Sequence, residues 1–182
     1  MMSAAPQTPR LPLIEELNRL PNDRFVAALK PLFETAPPLA EGLFAGRPYR
    51  SYDELLARAE TVIAALSSDQ QVEVVNAHPR IGERAEQVRR DSALSYREQG
   101  YDHEAALDQD ELARVYRELA ELNRAYEAQF GFRFVVFVNR RPKSEIVDVL
   151  RQRLQRPRDA ELAAALAAML AIARDRLATV MS

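Results

Sequence analysis

The stretch QDELARVYRELAELNRAYEAQ, Gln109 to Gln129, decides the fold class. Leu112, Val115, Tyr116, Leu119, Leu122 and Tyr126 recur at intervals of three and four, so they form one apolar stripe on an otherwise charged helix. Gly131 follows as a helix stop. The same period extends upstream. Phe25, Leu29 and Phe33 share a face in a helix that Asn22 can cap. Ser51 and Glu54 have the spacing of a capping box and open a helix with Leu55, Leu56, Ala59, Val62, Ile63 and Leu66 on one side. Leu13 to Leu20, Leu39 to Ala45, and a helix from Ser68 or Asp69 to near Asn76 complete this half, with prolines and glycines punctuating the joints. Arg84 to Gln99 is polar and reads as a solvent-facing helix. Downstream, Ser144 to Leu154 forms another helix. A last one, begun at Pro157 or Asp159, buries Leu162, Leu166, Met169, Leu170, Ala173 and Leu177.

One segment breaks the pattern. Phe132 to Val138, FRFVVFV, has strand propensity. No second run of this kind exists to pair with it, and a lone strand leaves its backbone groups unmatched. It therefore reads as a buried helix or an extended segment inside a helical domain. The expected fold is all-α, a single compact multi-helix domain over residues 11–182 behind a flexible tail, residues 1–10, that contains Pro6 and Pro9.

Composition narrows the function. The chain has 182 residues, 47% hydrophobic and 29% charged, enough apolar material for a real core. A net charge of −2 gives no field for nucleic acid or an anionic membrane, and no run is long and apolar enough to span a bilayer. The chain has no cysteine, which excludes disulfides, thiol catalysis and thiolate metal sites. That fits a reducing compartment, and a cytoplasmic location is expected. Only His78 and His103 offer imidazoles, so no metal site is expected. A glycine-rich phosphate loop and a serine nucleophile elbow are both absent.

Three segments hold residues with chemical potential. His78 is followed by Pro79, which fixes the backbone behind the imidazole. Alone, such a histidine is as often a surface or capping group as a catalyst. Further on, Ser95, Glu98 and Gln99 share one face of a helix that also carries Tyr96 and Arg97. Hydroxyl, carboxylate and amide together suit a small polar heterocycle, although a solvated helix face shows the same pattern. The third segment runs from Phe130-Gly131-Phe132 through Val135, Val136, Phe137 and Val138 to Asn139-Arg140-Arg141. An apolar wall ending in polar and cationic groups suits an anionic planar ligand, and plain core followed by a basic turn reads the same way.

Taken in order, four motifs resemble the 2-oxo-4-hydroxy-4-carboxy-5-ureidoimidazoline (OHCU) decarboxylase family. They are His78-Pro79-Arg80-Ile81-Gly82, Ser95-x-x-Glu98-Gln99, Leu122-Asn123-x-x-Tyr126 and Phe130-Gly131-Phe132-x-Phe134. Weaker similarity covers Leu17-Asn18, Phe25 and the last helix. The resemblance implies an all-α fold, usually a homodimer, and conversion of the ureidoimidazoline substrate to (S)-allantoin in urate breakdown. It implies catalysis by His78 with Glu98. Its implied substrate contacts are Pro79, Ser95 to Gln99 and Val135 to Asn139. No cofactor is implied, because the substrate's conjugated ring can accept the electrons that carbon dioxide leaves behind.

The resemblance has departures. Many members carry an arginine for the substrate's carboxylate where this chain has Asn139, and Arg140 or Arg141 stands beside it. Arg133 takes the place of a usual proline. Two other readings stay open on sequence grounds: a relative acting on another ureide or imidazoline, and a non-catalytic helical interaction module.

Overall fold

In a computed structural model, residues 10–83, 99–101 and 108–181 are described. They contain helices and no strand, so the all-α class holds. The described helices are α1 (Ile14–Arg19), α2 (Asn22–Leu29), α3 (Pro37–Ala45), α4 (Tyr52–Ala65), α5 (Ser68–Asn76), α6 (Gln109–Phe130), α7 (Lys143–Arg153) and α8 (Arg158–Met181). None is long and apolar enough to cross a membrane. The N-terminal tail up to residue 9 and the expected helix from Arg84 up to residue 98 lie outside the described residues.

The chain divides into two compact units. One comprises Met1–Ala77 with Leu170–Ser182, and the other comprises His78–Met169. In the first unit α1 packs on α2, α2 on α3, and α3 on both α4 and α5. Local chemistry sets the helix ends. The Ser51 hydroxyl accepts from the Glu54 N–H, while the Glu54 carboxylate reaches past the cap to the Arg50 N–H, so only half of the expected capping box forms. The full box lies one helix later, where Ser67 and Gln70 cap each other's backbone. Asn22 begins α2 instead of capping it, with Pro21 in the cap position, and Phe33 is buried beyond the end of that helix.

Buried polar groups tie this unit together. Asn18 pairs with both backbone groups of Tyr49, at 2.7 and 2.9 Å. Arg47 donates to the carbonyls of Phe44, Asn18 and Leu20 and lies over the Phe44 ring. Arg176, fully buried on the stripe of α8, reaches the Glu34 carboxylate at 2.9 Å. Helical periodicity alone places a charged residue in solvent, and here a paired carboxylate makes its burial tolerable.

In the second unit α6 packs along α7. The stripe expected on α6 faces inward at Leu119 and Tyr126, and Gly131 ends the helix in the left-handed conformation. Phe132–Val138 is neither helix nor strand but an extended segment, one of the two outcomes its sequence allowed. Tyr126 packs against Phe130, Phe132 and Phe134 with ring centroids 4.5–5.9 Å apart. The Tyr126 hydroxyl donates to Glu161, a carboxylate with no exposure that also takes the Arg153 guanidinium at 2.6 Å. Burial, and then the bond to Glu161, push the Tyr126 phenol well above the usual tyrosine range.

Helix α3 approaches α4 closely at Gly42, where a Cβ would sit 2.5 Å from Val62 Cγ1. Gly42→Ala should therefore cost about 1–3 kcal/mol through overpacking, read as a lower urea midpoint. Adding Val62→Ala should recover part of the loss. An unchanged midpoint for Gly42→Ala would contradict this packing.

Candidate active site

All the predicted site residues that are described belong to the second unit. Helix α5 ends at Asn76, and its cap at Ala77 delivers the chain into a turn, His78 to Glu83. His78 and Pro79 are both buried, His78 with 6% exposure. This removes the surface-histidine reading.

The turn is fastened at several points. The His78 carbonyl accepts from Arg133 Nη1 at 2.9 Å. Asn123 Nδ2, on the buried face of α6, donates to the Ile81 carbonyl at 2.9 Å. Arg80 forms a two-pronged pair with Glu127, also on α6, at 2.5 and 2.8 Å. That pair, ahead of a weaker contact to Glu83, holds the Arg80 guanidinium even more firmly charged than usual. Gly82 has φ +78°, and a Cβ there would press on Leu119 at 3.2 Å, so the turn requires glycine on both conformational and packing grounds. The hydroxyl of Tyr101 closes the turn by donating to the Glu83 carbonyl at 2.7 Å.

Of the second predicted segment, Ser95, Tyr96, Arg97 and Glu98 lie outside the described residues. Gln99 is described and buried, and among the described residues its side-chain oxygen Oε1 has no hydrogen-bond partner. A buried amide oxygen without a donor is costly, and such atoms mark places where another donor belongs.

The third segment is extended and held mainly through its carbonyls. Arg153 Nη1 donates to the Val135 carbonyl at 3.1 Å. Arg141 bends back onto the carbonyls of Phe137 and Val138, at 2.8 and 3.0 Å. Arg141 is thus committed to its own backbone, while Arg140 is exposed. Asn139 and Arg140 both have positive φ, 47° and 61°. Two consecutive non-glycine residues in the left-handed region are uncommon and concentrate at functional turns. Val135 and Val138 are buried, and Val136 and Phe137 half-buried. Among the described residues, no hydrogen bond is made to the backbone N–H groups of Val135 to Asn139. These N–H groups thus lie unmatched among the described residues, in a segment whose Val135 and Val138 side chains are buried.

Sequence reading did not find the supporting roles of Arg133, Arg153 and Lys143. Asn123 appeared only as part of a motif. One signal was present: Lys143 is a cation at the first position of an amphipathic helix, where the helix dipole disfavours it.

The chain matches the family described as OHCU decarboxylase over residues 18–178. The 2-oxo-4-hydroxy-4-carboxy-5-ureidoimidazoline decarboxylase of Haloferax volcanii is 31% identical over 166 residues, covering 91% of this chain and 94% of the relative. A putative enzyme of the same name from Homo sapiens is 31% identical over 165 residues, with 91% and 93% covered. The uric acid degradation bifunctional protein of Bacillus subtilis is 30% identical over 93% of this chain, which corresponds to 33% of that longer protein. Among solved structures, an OHCU decarboxylase in the presence of (S)-allantoin superposes with a TM-score of 0.61 at 19% identity, over 81% of this chain and 93% of that one. That likeness shows the fold.

Asn123→Ala removes the donor to the Ile81 carbonyl. It should cost about 1–3 kcal/mol in chemical denaturation, and amide exchange around residues 79–83 should accelerate. Unaltered exchange there would mean that Asn123 does not secure the turn.

Proposed function

The chain belongs to the OHCU decarboxylase family, and from that premise we propose that it is a carboxy-lyase of urate degradation that uses His78 and Glu98 to turn OHCU into (S)-allantoin. The observation that carries the reading is the buried His78, fastened through its own carbonyl and its turn, in the same unit as a row of backbone donors at Val135 to Asn139. A catalytic acid must hold one direction, and burial with a fixed backbone provides that.

The chemistry is compact. The bond between the ring carbon and the carboxylate breaks and carbon dioxide leaves; the electron pair forms a C=C bond to the ureido-bearing carbon, and the pair displaced from the ring C=N bond settles on its nitrogen, which takes a proton from water. The hydroxyl on the same carbon then becomes a carbonyl by giving up its proton, the role assigned to Glu98. A proton from His78 reaches the ureido-bearing carbon from one face, which fixes the configuration of the product. The substrate's own ring stores the electrons, so the protein contributes orientation and proton transfer.

Substrate contacts are assigned to Pro79, to Ser95, Tyr96, Arg97, Glu98 and Gln99, and to Val135, Val136, Phe137, Val138 and Asn139. The unpartnered Gln99 Oε1 supports a role as acceptor for a ring or ureido N–H. The N–H groups of the extended segment suit the substrate's oxygens. Arg140 is assigned to the carboxylate. Its exposure supports this, as does the engagement of the neighbouring Arg141 with Phe137 and Val138. The match over residues 18–178 supports one functional domain over residues 11–182. A homodimer and a cytoplasmic location complete the proposal. They rest on the family and on the absence of cysteine respectively.

The test supplies freshly generated OHCU and follows its consumption. His78→Ala and Glu98→Gln should each lower the rate by about 10²–10⁴ while the helical circular dichroism is retained. Full turnover by either variant would remove that residue from the mechanism. Arg140→Ala should mainly raise KM, and an unchanged KM would withdraw the carboxylate from Arg140.

A further inference from the structure

Lys143 is an improbable residue for its position. It is 6% exposed, although lysine is almost never buried without a partner. It also opens α7 directly after Pro142, where the helix dipole opposes a positive charge. Two unfavourable terms at one residue call for specific compensation, and the surroundings supply it. Lys143 Nζ donates to the Gln99 carbonyl at 2.6 Å. The ammonium lies over the Tyr101 ring, 3.9 Å from its centroid, with Tyr116 at 5.5 Å, where cation–π attraction operates. Tyr101 in turn donates to the Glu83 carbonyl at 2.7 Å.

Three segments of the proposed site meet at this one side chain. Its backbone ends the stretch that follows Asn139 and Arg140. Its ammonium holds the backbone of Gln99, and its ring partner closes the turn that begins at His78. Resting on the decarboxylase reading above, we propose that Lys143 is a positioning residue that locks the Gln99 segment and the His78 turn in register with the Val135–Asn139 segment. Fixing the Gln99 carbonyl holds the backbone from which its side chain departs, and the Oε1 of that side chain is buried without a partner. Lys143 acts on substrate through Gln99, without touching it.

The test is a double-mutant cycle on the full chain with freshly generated OHCU: wild type, Lys143→Met, Gln99→Leu and the double variant. Each single variant should lower kcat/KM about 10- to 100-fold, the scale expected of misplaced binding groups. The double variant should fall no more than about threefold below the worse single, because coupled residues are non-additive. A double variant that loses the product of the two single losses would overturn the proposal. If Lys143→Met does not fold, the cycle is run with Lys143→Gln, which is shorter but still a donor. If neither substitution folds, Lys143 maintains the fold and the positioning role is overturned. A wild type that consumes no OHCU overturns the decarboxylase reading and this inference together, whereas an active wild type with independent losses overturns this inference alone.

Discussion

Backbone that is buried but neither helix nor strand must find its hydrogen bonds outside any ladder. Much of the second unit of this protein follows from that constraint. Its turn after α5 and its extended segment after α6 expose carbonyls to the interior, and side-chain donors meet them one by one. Arg133 takes the His78 carbonyl, Asn123 that of Ile81 and Lys143 that of Gln99. Arg153 takes Val135, and Arg141 takes Phe137 and Val138. Most of these donors are cationic, and a hydrogen bond to a charged group contributes about 1.5–3 kcal/mol, more than a neutral one. The segments that would meet substrate are thereby held stiff without being built from regular structure.

This arrangement divides labour between the two kinds of backbone group. Carbonyls are consumed by the scaffold. Among the described residues, the N–H groups of Val135 to Asn139 are left unmatched. The scaffold's cations are themselves anchored. Arg153 is fixed by Glu161, which also receives the Tyr126 hydroxyl, so the aromatic cluster, the last helix and the extended segment share one buried carboxylate. Removing one partner of such a network leaves an uncompensated charge, and that is costlier than the pair is valuable.

Most of the helices were legible because their apolar residues keep a clean period, as in α6 and α8. The break at Phe132–Val138 was legible because one strand-like run cannot pair with itself. The buried charges were not. Glu161, Arg176 and Lys143 look like solvent-facing residues to any reading based on periodicity, and only partners distant in sequence explain their burial. His78 stood out as one of two histidines, but its burial and the anchoring of its turn depend on Arg133 and Asn123, some 45–55 residues away. The engagement of Arg141 with the carbonyls of Phe137 and Val138 was likewise not legible, since a basic turn read from sequence does not show which guanidinium folds back on its own segment.

The account stands on His78 delivering a proton to one face of a rigidly held ring. The most direct measurement runs the wild-type reaction on freshly generated OHCU in deuterated water and reads the product by circular dichroism and NMR. The account predicts optically active (S)-allantoin carrying deuterium at the ureido-bearing carbon, formed faster than by spontaneous decay. Racemic allantoin at the spontaneous rate would contradict it.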